Sequence, residues 1–167
     1  MAQERLIICN TSPLINFAEI SRLDLLLELP GTVCIAPAVA DELRAKSALF
    51  PKAAQAAESG QFAQIGPKDV LLTRSFAAVL HRGESECLAL AMEHPGSLLI
   101  LDDLSARAVA SANHLPFTGT LGILAAGKEL GKITDLAPVL HALKGKARFW
   151  ISPQLERLLL TDAGEIG

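Results

Sequence analysis

A chain of 167 residues, half of them hydrophobic and a fifth charged, has the balance of a packed globular protein, which sets aside disorder and gives no reason for a second domain. Its net charge of −3 excludes a surface that grips nucleic acid everywhere, because such domains are strongly basic, and leaves room only for a local basic patch. No apolar run approaches the roughly 20 residues of a membrane span, and Met1–Arg5 shows no cleavage-like export signal, so the cytoplasm is the expected compartment.

Leu6–Cys9 reads as a short buried strand. Ser12-Pro13 then offers an N-cap and a first-turn proline for a helix through about Ile20. A second short helix around Leu23–Leu29 ends at Pro30-Gly31, and Thr32–Ile35 is the next strand, rich in β-formers. Pro37 opens a helix that stops near Ser47, with Val39 and Leu43 on its apolar face. Lys52–Glu58 is an alanine-rich helix closed by Gly60, Phe62–Ile65 a short edge strand, and Asp69–Leu80 a helix.

Gly83 breaks the pattern before a helix over Glu84–Glu93, in which Cys87, Leu88, Ala91 and Met92 recur at helical spacing and are expected in the core. Ser97–Leu101 is the most strand-like segment, a continuous apolar run suited to the middle of a parallel sheet, and it ends abruptly in Asp102-Asp103. A helix through about Ser111, a strand at Pro116–Thr118, helices over Leu121–Leu130 and Leu136–Leu143, and a final helix over Gln154–Leu160 complete the order. This alternation, without repeats or linkers, predicts an α/β layer structure in one domain, residues 1–167. Cys9, Cys34 and Cys87 sit in apolar surroundings as reduced core thiols would, and with the four histidines they form no zinc spacing.

Binding crevices of open parallel sheets lie beyond the carboxyl ends of the strands. Asn10-Thr11-Ser12 follows the first strand and Asp102-Asp103 the fourth, after runs so apolar that both sets are expected on one rim. Glu42 stands one turn inside a helix that follows a strand, and Glu84 begins another helix, where its charge suits the dipole. Hard oxygen ligands without His or Cys suit Mg²⁺ or Mn²⁺, and such ions can clamp the attacking and leaving oxygens of a phosphodiester.

The segments Asn10-Thr11-Ser12-Pro13-Leu14-Ile15, Arg82-Gly83-Glu84, Leu101-Asp102-Asp103 with Ala106-Arg107, and Gly119-Thr120-Leu121-Gly122 together resemble the PIN family, and within it the prokaryotic proteins related to toxin nucleases of the VapC type. The resemblance implies a three-layer α/β/α sandwich with a mainly parallel sheet and an acidic Mg²⁺ or Mn²⁺ pocket that cleaves RNA, with an antitoxin as inhibitory partner. By the same resemblance Asn10 takes the place of the first-strand aspartate, Glu42 that of the helix glutamate, Glu84 that of the mid-chain acid with Glu86 as a weaker claimant, and Asp102 or Asp103 that of the fourth-strand aspartate. Ser12 either bonds the metal-bound side chains or caps its own helix, and Arg107 either meets a substrate phosphate or pairs with an acid. Asn10 keeps an oxygen for a hard cation but brings no charge, so the alternative is a PIN-fold module that binds RNA or a protein without cutting. Apolar helix surface and Phe149–Ile151 suggest a homodimer or antitoxin docking.

Overall fold

The computed structural model describes residues 4–167; the expectation about a leader falls partly on Met1–Gln3, which lie outside that range. In chain order the elements are β1 (Leu6–Cys9), α1 (Thr11–Glu19), α2 (Asp24–Leu27), β2 (Thr32–Ile35), α3 (Pro37–Ala45), α4 (Pro51–Glu58), β3 (Ala63–Gln64) and α5 (Val70–Ala77). There follow α6 (Arg82–Glu93), β4 (Leu98–Ile100), α7 (Leu104–Ala112), β5 (Phe117–Thr118), α8 (Thr120–Glu129), α9 (Leu136–Lys146) and α10 (Pro153–Asp162).

The sheet is wholly parallel, in the order β3-β2-β1-β4-β5, with helices on both faces in a three-layer α/β/α arrangement. β1 is central because it is apolar throughout: Ile7, Ile8 and Cys9 are buried and the strand must be covered on both sides. Its register sets Ile8 beside Cys34 on one flank and Leu99 on the other, so the chain ends of β1 and β4 come level. The strand order reverses at this pair, with β2 and β3 to one side and β4 and β5 to the other, and a crevice opens there.

Local chemistry accounts for the joints. Pro37, Pro51 and Pro153 each begin a helix, where the missing N–H costs nothing. Gly31 turns the chain from α2 into β2 at φ +148°, and a Cβ there would overlap the Arg5 carbonyl, so only glycine fits. α6 packs on β1 and β4 and also against α3 and α5, which makes it the element that ties the sheet to the outer helices.

Four expectations change. α1 starts at Thr11 with Asn10 in the N-cap position, so Ser12 lies inside the helix, exposed, and does not cap it. Gly83 is the second residue of α6 rather than its boundary, because the helix starts on Arg82. Met92 is 40% exposed, since the helix has rotated past the core by its last turn. α2 keeps only four residues, cut short by the Pro30-Gly31 turn. The three cysteines are free and buried as expected, and among the described residues no helix is long and apolar enough to cross a membrane.

Candidate active site at the carboxyl rim of the sheet

Two carboxylates meet in a pocket of about 440 Å³ lined by Thr11, Ser12, Glu42, Lys46, His81, Arg82 and Glu84. Glu42 comes from the second turn of α3, and its position is fixed from two sides: the Thr11 hydroxyl donates to Oε2 at 2.5 Å and the Gly83 amide to Oε1 at 3.2 Å. Gly83 is required by this approach, for a Cβ there would lie 2.7 Å from Glu42 Oε1. The carboxylate of α3 thus caps the N-terminus of α6, where His81 supplies no side-chain cap of its own. Glu86 does the converse. It accepts from the Ala38 amide at 2.8 Å and so caps α3 from α6, which assigns it a structural task and leaves Glu84 as the acid that enters the pocket.

Asn10 ends β1 and is 2% exposed. Its backbone is tied to β4 through the bond from Asn10 N to Ile100 O at 3.1 Å. Although it occupies an N-cap position, its side chain makes no cap bond, and asparagine at such a place ordinarily would. Asn10 Oδ1 and Glu84 Oε2 are the two buried side-chain oxygens without a hydrogen-bond partner among the described residues. Leaving such groups unpaired costs about 1–3 kcal/mol each, and that cost points to a ligand rather than to folding.

Asp102 stands at the end of β4 in a different network. Its Oδ1 accepts from the Thr120 amide at 2.8 Å, and its Oδ2 from the Thr120 hydroxyl at 2.6 Å and from Asn16 Nδ2 at 3.1 Å. Asn16 also donates to Thr120 Oγ1 at 2.9 Å, which closes a ring of three side chains across β4, α1 and α8. Arg107 lies alongside, with Nε donating to the Leu101 carbonyl at 2.8 Å, an amino group 3.9 Å from Asp102 Oδ1, and its guanidinium 5.6 Å from the Phe117 ring centroid. A Cβ on Gly119 would overlap that guanidinium, so the glycine of Gly119-Thr120 makes room for Arg107. Asp103 is exposed and accepts from the Ala106 amide at 2.8 Å as the N-cap of α7.

Charge from these acids reaches the core thiols. Burial pushes the Cys9 thiol far above its usual range, with the neighbouring Asp102 carboxylate adding to the effect. Cys87 is raised by burial first and also by Glu84 and Glu42. Acids from both networks therefore stand over adjoining parts of the same core.

The five candidates do not form a ready-made cage: among the described residues no three of His, Cys, Asp and Glu gather as a metal-binding group. The reason is visible in the bonds, since Asp103 caps a helix, Asp102 is engaged by three donors, and Asn10 carries no charge. A hydrated Mg²⁺ asks for less, typically one or two carboxylates with water and a substrate oxygen completing the shell. Glu84, with a free oxygen and with Glu42 beside it in the pocket, fits that requirement, and Asn10, which does not line the pocket itself, offers a second free oxygen at the end of β1.

Sequence reasoning missed Asn16 as part of the site, and it placed Thr11 on the rim without its bond to Glu42. Asn16 had a signal, being a polar residue inside the apolar run Leu14–Ala18; the role of Thr11 had none, because its partner lies 31 positions away. A family model described as a PIN domain matches residues 6–165. No curated protein and no solved structure matches the chain.

Proposed function

The chain belongs to the PIN-domain family, a nuclease-type fold, and from that premise we propose that it is a metal-dependent ribonuclease of the toxin type, acting as one domain over residues 1–167. The observation that carries the reading is the pair of unpartnered buried oxygens, Asn10 Oδ1 and Glu84 Oε2, at the carboxyl rim of the sheet. They would hold Mg²⁺ or Mn²⁺, with Glu42 adding charge and Asp102 and Asp103 further along the rim. When bound, the ion supplies Lewis-acid stabilisation of the charge that builds on the phosphate and lowers the pKa of water there.

The chain's own groups orient rather than attack. Thr11 and Gly83 hold Glu42 against rotation, Asn16 and Thr120 hold Asp102, and Arg107 keeps a guanidinium at the rim where a phosphate oxygen would arrive. In the reaction a water oxygen replaces the leaving ribose oxygen on phosphorus, and the water proton ends on that leaving oxygen. An antitoxin partner and a homodimer belong to the same proposal. Apolar side chains exposed near the C-terminus, Trp150 at 80% and Leu158 at 55%, support such protein contacts.

A second reading, a module that binds RNA or a protein without cutting, is favoured by the engagement of Asp102 and the missing charge at Asn10. Incubation of unstructured RNA with Mg²⁺ or Mn²⁺ separates the two. Cleavage by the wild type that disappears with EDTA and in Glu84→Gln supports the nuclease; an uncut substrate with both the wild type and Asn10→Asp supports the binding module.

A further inference from the structure

We propose that the closed end of the α9–α10 hairpin is a docking surface for an acidic, amphipathic protein segment. Lys146 and Arg148 meet its carboxylates, and Trp150, Leu155 and Leu158 its apolar side chains. This gives a chemistry to the protein contact proposed above and rests on that part of the reading alone. None of the five residues lines the acidic pocket.

The cross-bonds show that α9 and α10 run antiparallel. Lys144 meets Glu156 at 2.7 Å near the closed end, and the Leu136 and Ala137 amides donate to Glu165 at the open end. The turn between the helices is pinned by the bond from Phe149 N to Leu143 O at 3.3 Å and by the Ser152 cap on Leu155 N at 3.2 Å. Arg148 lies in that turn at φ +58°, the left-handed place after a helix where glycine is the usual residue. A side chain there costs about 1–2 kcal/mol, so folding does not account for an arginine at this position.

Charge is gathered at the same end. Four of the chain's 15 basic side chains, but one of its 18 acidic ones, fall within residues 144–158. That acid, Glu156, is taken by Lys144. Lys146, Arg148 and Arg157 are exposed and form no ion pair among the described residues. At the open end stand Asp135, before α9, and Asp162, the last residue of α10.

The apolar side chains follow the same axis. Trp150, two residues before the Ser152 cap, is 80% exposed, and Leu155 and Leu158, 39% and 55% exposed, share one face of α10, on which Asp162 comes next. No residue of α10 is fully buried. Exposed tryptophan beside unpaired arginine is the composition that dominates protein contacts. A second copy on a two-fold axis would bring one positive patch against another. A nucleic acid would use the cations and the indole but leave the leucine row facing phosphates. An anionic bilayer would take its apolar side chains from the apex, whereas Leu158 lies in the second turn and Asp162 bounds the row. A segment with acids at one end of its apolar row matches every feature: carboxylates over the basic turn, apolar contacts along α10, and no acid over Asp162.

Trp150 is the one tryptophan of the chain, so its emission reads this surface directly. The intact protein is titrated with a synthetic peptide that carries leucines at helical spacing and glutamates at one end. Control peptides replace the glutamates by lysine or the leucines by serine. Oligo(U) RNA and vesicles of equal parts phosphatidylglycerol and phosphatidylcholine are titrated in parallel. The acidic peptide should shift the emission to the blue, saturably and less at high salt, and neither control should. Lys146→Glu with Arg148→Glu, and separately Leu158→Ser, should each weaken binding several-fold; all three positions are exposed, so the fold is kept. No shift with the acidic peptide, an equal shift with the lysine peptide, or unchanged binding in the variants overturns the surface. So does equal binding of RNA or vesicles, or a shift on concentrating the protein alone, which would assign the face to nucleic acid, lipid or a second copy. No arm involves a metal or cleavage, so the proposals fail separately. Peptide bound by a protein that never cuts RNA keeps the surface without the nuclease, and RNA cut by a protein that ignores the peptide keeps the nuclease without the surface.

Discussion

Asn10 shows how one atom type alters a site. An aspartate at the end of β1 would bring a charge to a buried position 2% exposed, whereas the amide brings an oxygen that is left without a partner. Its place was legible in the sequence, because a polar residue after Leu6–Cys9 has to fall on the carboxyl rim of a parallel strand. The division of labour between Asp102 and Asp103 was not legible, since adjacent residues of a strand end differ only in direction. Asp102 turns inward to Thr120 and Asn16, and Asp103 outward to cap α7. Thr120→Val would remove a hydroxyl that both Asp102 and Asn16 use, at a cost of about 1–3 kcal/mol in urea unfolding; an unchanged midpoint would show the network to be slack. Gly119→Ala should expel the Arg107 guanidinium and cost about 1–3 kcal/mol by overpacking, read in the same way.

Among elements, α3 and α6 cap one another, and this reciprocity fixes Glu42 directly and the start of α6, which carries Glu84, through the helix. Glu42 accepts from Gly83 N, and Glu86 from Ala38 N. The periodicity of α6 is plain in the sequence, but its start is disguised by Gly83, because a glycine demanded by a close carboxylate looks like a helix breaker. The caps are hidden for a related reason: they join residues 41 and 48 positions apart. Glu86→Gln should weaken the α3 cap by about 0.5–2 kcal/mol and lower the thermal midpoint.

The C-terminal end carries a pH-dependent joint of its own. Glu165 accepts from the Leu136 and Ala137 amides at the start of α9 and pairs with Lys128, and these bonds, Leu136 first, pull its carboxyl from 4.5 down to about 2. A depressed carboxylate pKa contributes stability above 4.5, which is lost as pH falls from there toward 2. The thermal midpoint of wild type should therefore exceed that of Glu165→Gln at neutral pH, and the two should converge across that window. A gap that persisted at the acid end of the window would remove Glu165 from this role.

At the scale of the molecule the parallel sheet and its helical layers followed from alternating apolar runs and helical periods, while the strand order β3-β2-β1-β4-β5 is set by long-range packing that no local pattern encodes. That order places Asn10 and Asp102 on the two sides of the reversal point. Beneath them the three thiols are buried and free, and burial holds even Cys34 at about 11. Alkylation should be negligible in the native protein and should reach all three cysteines only on global unfolding; a fast-reacting thiol would mean that the core under the rim opens locally.

The central claim is that the rim at the end of β1 holds a divalent cation through Asn10 and Glu84. Calorimetric titration of Mn²⁺ into wild type, Asn10→Asp and Glu84→Gln tests it most directly. Affinity should rise in Asn10→Asp, where a charge joins the free oxygens, and vanish in Glu84→Gln. Equal affinity in all three, or no binding even in Asn10→Asp, would contradict it.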